Sequence, residues 1–157
     1  MSMGPLPAVG MVYSVKTPAV VILPILLLPY SVNQRLPSGP VTMLNLLRLR
    51  ETADYTASPA LAPPAPISGR EAYRRYVEHS EPFLRATGGE MLFLGEGGQF
   101  FIGPTNERWD LAMLVRQTSV ESFIAFAANP AYLAGIGHRT AAVEDSRLLP
   151  LVQLQAL

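Results

Sequence analysis

Two stretches of this chain are apolar on both sides at once. In VTMLNLLRLR (41–50), Val41, Met43, Asn45, Leu47 and Leu49 alternate with Thr42, Leu44, Leu46, Arg48 and Arg50. In RWDLAMLVRQ (108–117), Trp109, Leu111, Met113 and Val115 alternate with Asp110, Ala112, Leu114 and Arg116. Period-two alternation predicts a strand in each case. A sheet with one wet face shows polar residues on that face. Here aliphatics occupy both, so the sheet these strands join must be covered twice. A chain of 157 residues, 49% hydrophobic, suffices for one cored domain and is short for two. The second cover is then expected from another copy, which predicts a homodimer.

The elements around these strands have their own signals. SGREAYRRYVEHSEPFLRATGG (68–89) has the strongest helical pattern. Ser68 and Glu71 stand at capping-box spacing. Tyr73, Tyr76, Val77, Ser80, Phe83 and Leu84 fall on one arc, and Glu71 with Arg75, Arg74 with Glu78 and Glu81 with Arg85 pair opposite it. Pro82 predicts a kink near Glu78 and Gly88 a stop. EMLFLGEGGQFFIG (90–103) reads as a hairpin with Gly97-Gly98 at its tip. Thr118 and Glu121 predict a second capping box, opening SVESFIAFAA. Asn129-Pro130 ends that helix and starts a short one in PAYLAGIG. A last strand is expected near Arg147 to Leu154. The order strand, helix, hairpin, strand, helix, strand is the βαββαβ pattern of a ferredoxin-like α+β sandwich, with an antiparallel sheet covered on one face by helices.

Two segments stand outside that pattern. Residues 1–38 form an apolar, Pro-rich N-terminal arm, and the α+β domain is expected over 39–157. The run AVVILPILLL (19–28) is shorter than the roughly 20 apolar residues that span a bilayer, and Pro24 interrupts it. Lys16 and this run have the layout of a signal peptide, but LPYSVNQ lacks a small-x-small cleavage site. An arm packed on the domain or on a partner subunit is the reading adopted; a natural start at Met11 is a further alternative. No membrane partner is expected. ETADYTASPALAPPAPI (51–67) holds five Ala and four Pro and reads as a loop long enough to cover a cleft.

Composition excludes several kinds of chemistry. Lys plus Arg and Asp plus Glu both number 12, and no basic stripe suited to phosphates is visible, so no nucleic-acid partner is expected. The chain has no cysteine, which rules out disulfides, thiolate metal sites and a Cys nucleophile, and fits a cytoplasmic location. Its two histidines, His79 and His138, lack metal-ligand spacing. No metal and no cofactor are expected. GEGG (95–98) lacks the strand-to-helix setting of a phosphate loop.

The runs GPVTMLNLLRLRE, SGREAYRRY, GGE, IGPTNERWD and NPAYLAGIGHRTAAVEDSRLLPL occur in that order over about residues 39–151. Together they resemble the domain-of-unknown-function family numbered thirteen-thirty, within the dimeric α+β-barrel superfamily. The resemblance implies a ferredoxin-like fold, a homodimer and a cleft between sheet and helices. Relatives in that superfamily include cofactor-free monooxygenases, muconolactone-type isomerases and enzymes that hold haem. It implies no established reaction for this chain. The function expected from it is a cofactor-independent enzyme acting on a small acidic or aromatic molecule by proton transfer or monooxygenation. The alternative is a non-catalytic ligand-binding or dimeric interaction module.

Eight side chains are candidates for such a cleft. Trp109 and Asp110 could form a ring wall and a carboxylate base. Adjacent strand residues point to opposite faces, so Trp109 is read as a core or dimer-seam anchor and Asp110 as the partner of Arg116 or Arg48. Tyr73 and Tyr76, on the inner arc of the helix, could donate to a substrate oxygen or be packed as core. Asn45 could hold a ligand carbonyl or a loop. Arg48 has the planar fork that matches a carboxylate, or it pairs with Asp110, Glu90 or Asp145. His138, placed on a loop, is the residue type that titrates near neutrality, and Arg139 beside it could hold an acid. The packing reading leaves His138 exposed and pairs Arg139 with Glu144 or Asp145. His79 is expected to be exposed.

Overall fold

The computed structural model describes residues 39–154, so the expected N-terminal arm lies outside the described residues. The elements are β1 (Val41–Leu49), α1 (Gly69–Ala86), β2 (Glu90–Glu96), β3 (Leu111–Gln117), α2 (Val120–Ala127), α3 (Pro130–Leu133), α4 (Ile136–Ala142) and β4 (Val143–Leu151), with a 3₁₀ turn at Pro59–Leu61. The sheet order is β2-β3-β1-β4, with every neighbouring pair antiparallel. The fold is α+β and ferredoxin-like.

Several boundaries differ from the expectation, each for a local reason. The hairpin is made by β2 and β3, not by residues 90–103. Phe100, Phe101 and Ile102 look like strand residues, but the longer alternating run 111–117 takes the partnership with β2. Gly97-Gly98 is therefore not the tip. The Gly97 N–H donates to the Asp110 carbonyl and the Trp109 N–H to the Gly98 carbonyl, both at 3.1 Å, and Gln99 bridges Arg108. This ribbon runs beyond the four-stranded sheet, and its tip lies at 100–107. A Cβ on Gly97 would come within 2.4 Å of the Trp109 carbonyl oxygen, so the close approach requires glycine.

The second cap is Ser119, not Thr118. Ser119 Oγ accepts from the Ser122 N–H and Ser122 Oγ accepts from the Ser119 N–H, both at 3.1 Å. On α1, Ser68 accepts from the Glu71 N–H, which is half of the expected capping box; the Glu71 carboxylate turns to Arg74 and Arg75 instead of the Ser68 N–H. Hydrogen bonds from Arg74 and then Arg75 hold the Glu71 carboxylate down to about 2. The helix runs unbroken past Pro82 to Ala86. The segment after Pro130 makes two helices. The backbone resumes helical turns after Gly135, so His138 and Arg139 are helical rather than on a loop. β4 begins at Val143, ahead of the expected Arg147. Its polar start reads as a turn in sequence, yet it pairs along β1, with Asp145 opposite Arg48.

Opposed residues share a face, so the register assigns each side of the sheet. The inner face carries Val41, Met43, Leu47 and Leu49 with Leu111, Met113 and Val115, all buried. Tyr73, Tyr76 and Leu84 of α1, Phe126 of α2 and Tyr132 of α3 pack onto it, and Val120 with Phe123 covers Val41 and Met43. The open face carries Leu44 opposite both Leu114 and Leu149, Leu46 opposite Ala112, and Leu151 opposite Thr42. A bulge between Met91 and Phe93 sends Met91 inward opposite Val115 and Phe93 outward opposite Leu114. Phe93 lies across Gly95, where a Cβ would meet its ring at 2.5 Å. No described helix covers these side chains, and Phe93, Leu149 and Leu151 are exposed.

Candidate functional site

Between the helices and the inner face three tyrosines come together, and Arg139 is near enough for its charge to act on two of them. Tyr73 and Tyr76 follow from the helical arc of α1. Tyr132 is placed by α3, where Asn129 Oδ1 caps the Ala131 and Tyr132 N–H groups at 2.9 and 3.3 Å. The Tyr76 and Tyr132 hydroxyls are 3.0 Å apart, and the Tyr132 ring lies 4.3 Å from Phe126. Tyr73 Oη reaches only the Met113 sulfur, at 4.0 Å. Burial pushes the Tyr73 and Tyr132 hydroxyls well above the usual phenol range, so both are protonated donors, while the Arg139 charge partly offsets that rise in each. Arg139 Nη2 donates to Ser146 Oγ at 3.3 Å. Among the described residues no carboxylate lies within ion-pairing distance of Arg139, so the expected partners Glu144 and Asp145 do not hold it.

A second pair lies outside that cluster. The 51–67 loop is strapped over α4. The Asp54 N–H donates to the Ala141 carbonyl and the Ala53 N–H to the Ile67 carbonyl, each at 2.9 Å. Tyr55 is buried beneath the strap, with its hydroxyl 2.8 Å from His138 Nδ1 and the two rings edge-on. His138 is half-buried, not exposed as expected. Desolvation, then the charges of Arg75 and His79, lower its pKa from the ordinary histidine value of 6.5. A base lowered in this way is neutral in the fold, while the unfolded chain takes up a proton near 6.5. Its contribution to stability is therefore complete above pH 6.5 and is lost as pH falls toward the lowered value. Denaturant melts at pH 7.5 and 5.5 are expected to differ less in His138→Gln than in the parent. An equal difference in both would remove His138 as the source.

The remaining candidates are not brought to the tyrosines. Asn45 Nδ2 bonds the Met43 carbonyl at 3.2 Å on its own strand. Arg48 lies on the open face, 3.2 Å from Glu144 and 3.9 Å from Asp145. Trp109 is buried but belongs to neither cluster of core side chains. Arg147, on the open face opposite Leu46, lies 5.1 Å above its ring, and Trp109 Nε1 donates to Glu107 at 3.0 Å. Trp109 thus sits on the open side, not in line with Leu111, because the strand proper starts after it. Asp110 pairs with neither Arg116 nor Arg48: its Oδ2 accepts the Leu49 N–H at 2.7 Å, and Arg108 stands 3.6 Å away. Arg116 instead pairs with Glu90. His79 is half-buried and donates Nε2–H toward the Ala131 and Tyr132 carbonyls at 3.0 and 3.1 Å, tying α1 to α3.

Tyr55 and Tyr132 were not singled out from the sequence. The signals that mark them are a lone aromatic in the Ala/Pro loop and an aromatic in the first turn after Asn129-Pro130. Among the described residues no cluster of three or more His, Asp or Glu suits a metal, and no helix is long and apolar enough to cross a membrane.

No protein-family model matches the chain, and no curated protein is significantly similar to it. Solved structures are. The methylated RPA0582 protein is 37% identical, with a TM-score of 0.67, over 78% of this chain and 85% of that one. A second structure of RPA0582, a protein of unknown function from Rhodopseudomonas palustris, gives 37%, 0.66, 78% and 88%. SnoaB, a cofactor-independent oxygenase from Streptomyces nogalater, is 13% identical with a TM-score of 0.46, over 76% of this chain and 98% of that one, a likeness too slight to bear on chemistry. At the identity and coverage found for RPA0582, the chain belongs to the family of that Rhodopseudomonas palustris protein of unknown function.

Proposed function

We propose that this protein is a homodimer that holds a small acidic molecule, without metal or cofactor, between α1, α3–α4 and the inner sheet face. The observation that carries this is the placing of Arg139: half-buried, bonded to Ser146 opposite Leu47 on the inner face, and unpaired with any carboxylate among the described residues. A guanidinium grips a carboxylate with two parallel bonds. The protonated phenols beside it are donors, suited to a substrate that develops negative charge on oxygen during proton transfer. Arg139→Met is expected to weaken the best binder from a panel of aromatic and aliphatic carboxylates roughly 10- to 100-fold, as loss of a charged hydrogen bond implies. Titration calorimetry on folded protein reads this directly. Unchanged affinity, or a panel with no binder, sinks the acidic-ligand reading.

The non-catalytic reading has its own support. The Tyr76–Tyr132 hydroxyl pair and the Phe126 packing fill much of the space with the chain's own side chains. Binding without turnover is its signature. Pairing through the open face is supported by the aliphatics at Leu44, Leu46, Leu114 and Leu149, which one chain leaves uncovered. We further place the family within domain-of-unknown-function family thirteen-thirty. Its motif runs fall on β1, the start of α1, the start of β2, the returning arm of the β2–β3 ribbon from its tip to Asp110, and α3–α4–β4, and residues 39–157 are taken as the domain. A cytoplasmic location fits the absence of cysteine.

A further inference from the structure

The 51–67 strap is tied to the fold in few places. Tyr55 is its only buried residue, and most of the others are exposed. Its two ends meet: Thr52 bridges Ser68, and Ala53 bonds Ile67. Between those ends the chain bonds to itself. The Ser58 N–H donates to the Tyr55 carbonyl at 2.9 Å, the Leu61 N–H to the Ser58 carbonyl at 3.0 Å and the Ala62 N–H to the Pro59 carbonyl at 3.1 Å. Asp54 Oδ1 accepts from both the N–H and the hydroxyl of Thr56. A loop closed at its base and bonded within itself can lift as one body without disturbing the elements it joins.

Three attachments seat this loop on α4. The Asp54 N–H bonds the Ala141 carbonyl. Ser58 and Leu61 rest on Gly137, where a Cβ would come within 2.5 Å of Ser58 Oγ and 2.8 Å of Leu61 Cδ1. The third is the bond between Tyr55 and His138 Nδ1, and it alone joins two side chains whose hydrogen bonding depends on a proton. Burial raises the Tyr55 hydroxyl above the usual phenol range, so it keeps its proton and donates. Nδ1 then accepts, and the neutral ring carries its proton on Nε2. A second proton on the ring turns Nδ1 into a donor. Two donors then face each other, and the Tyr55 hydroxyl has no other side-chain partner among the described residues.

The surrounding charges do not relieve this. From α1, Arg75 and His79 act on His138, and Arg75 and Glu71 act on Tyr55. Glu71 is bonded to Arg74 and Arg75. On the strap, the Asp54 carboxylate is exposed and bonded to Thr56, and the Arg50 charge acts on it. On α4 itself, Arg139 turns to Ser146.

We infer that residues 54–66 form a lid on α4, latched by the Tyr55–His138 bond, that lifts as a unit when His138 takes up a proton while the rest of the fold stays closed. The lid needs neither a ligand nor a second copy, so it stands apart from the function proposed above.

The test is hydrogen exchange of the full chain read by mass spectrometry at pH 7.5 and 5.5, each rate divided by the intrinsic rate at that pH. Protection of peptides covering 53–62 is expected to fall several-fold at pH 5.5, with about tenfold as the ceiling one unit below the ordinary histidine value. Peptides from α1 and β1 should keep theirs. In His138→Gln, checked for fold by circular dichroism, the fall should vanish. In His79→Gln, whose parent side chain bonds the α3 carbonyls and not the strap, it should persist. Tyr55→Phe should already lower strap protection at pH 7.5. Equal strap protection at both pH values in the parent protein would overturn the lid. So would an undiminished fall in His138→Gln, or loss of protection in α1 and β1 together with the strap. Unchanged protection in Tyr55→Phe at pH 7.5 would remove the hydroxyl as the latch.

Discussion

Leu114→Asp is expected to convert the proposed dimer into a folded monomer. Leu114 opposes Leu44 on one side and Phe93 on the other, at the middle of the open face. In a two-fold pair each substitution enters the interface twice. A carboxylate buried between sheets with no partner costs several kcal/mol, more than the margin that separates a micromolar dimer from monomers at working concentration. In the isolated chain Leu114 faces water in part, so the helix-covered core is not disturbed and circular dichroism should be unchanged. Ile124→Asp is the control, because Ile124 is an exposed aliphatic, more exposed than Leu114, that lies on α2, on the helix side. It should leave the dimer intact. A Leu114→Asp protein that still sediments as a dimer would show that the sheets do not meet through this face.

The second large effect is at Gly69. A Cβ there would lie 2.2 Å from the Arg50 carbonyl oxygen, 2.8 Å from that of Ala142 and 2.9 Å from the Arg50 nitrogen. All three obstacles are backbone, so no side chain can swing aside. Gly69 also donates its N–H to the Arg50 carbonyl at 3.1 Å. Gly69→Ala is expected to cost about 3 kcal/mol, at the upper end for overpacking, read as a lowered denaturant midpoint. Gly98→Ala, with nothing within 4 Å of its added methyl, should cost far less. The reason Gly69 matters to the site is positional. It seats the start of α1 against the end of β1 and the end of α4, and so fixes Tyr73 relative to Arg139.

What the sequence made legible was what depends on periodicity. The two-sided β1 and β3, the amphipathic α1 with its Ser68 cap, and the order of elements all follow from spacing along the chain. What it hid depends on partner choice. FFIG has strand composition, yet a better-matched strand ten residues on displaced it from pairing with β2. Thr118 and Ser119 both suit a cap, and only the returning hydroxyl of Ser122 decides for Ser119. The two candidate clusters were legible in part. Tyr73, Tyr76, His138 and Arg139 were named from residue type and arc. Tyr132 and Tyr55 were not, because their partners lie 56 and 83 residues away in the chain. Asp110 was misassigned for the same kind of reason. Its strongest partner is a backbone N–H, which no charge count reveals.

The position of Trp109 has an optical consequence. The chain contains one tryptophan, and it sits under Arg147 on the open side of the sheet, apart from the core clusters. Trp109 is already only 4% exposed within one chain, so its emission reports on the packing at this end of the sheet, while the tyrosine-rich interior stays silent at excitation wavelengths selective for indole. Followed in denaturant, that signal reads the loss of this packing without a label.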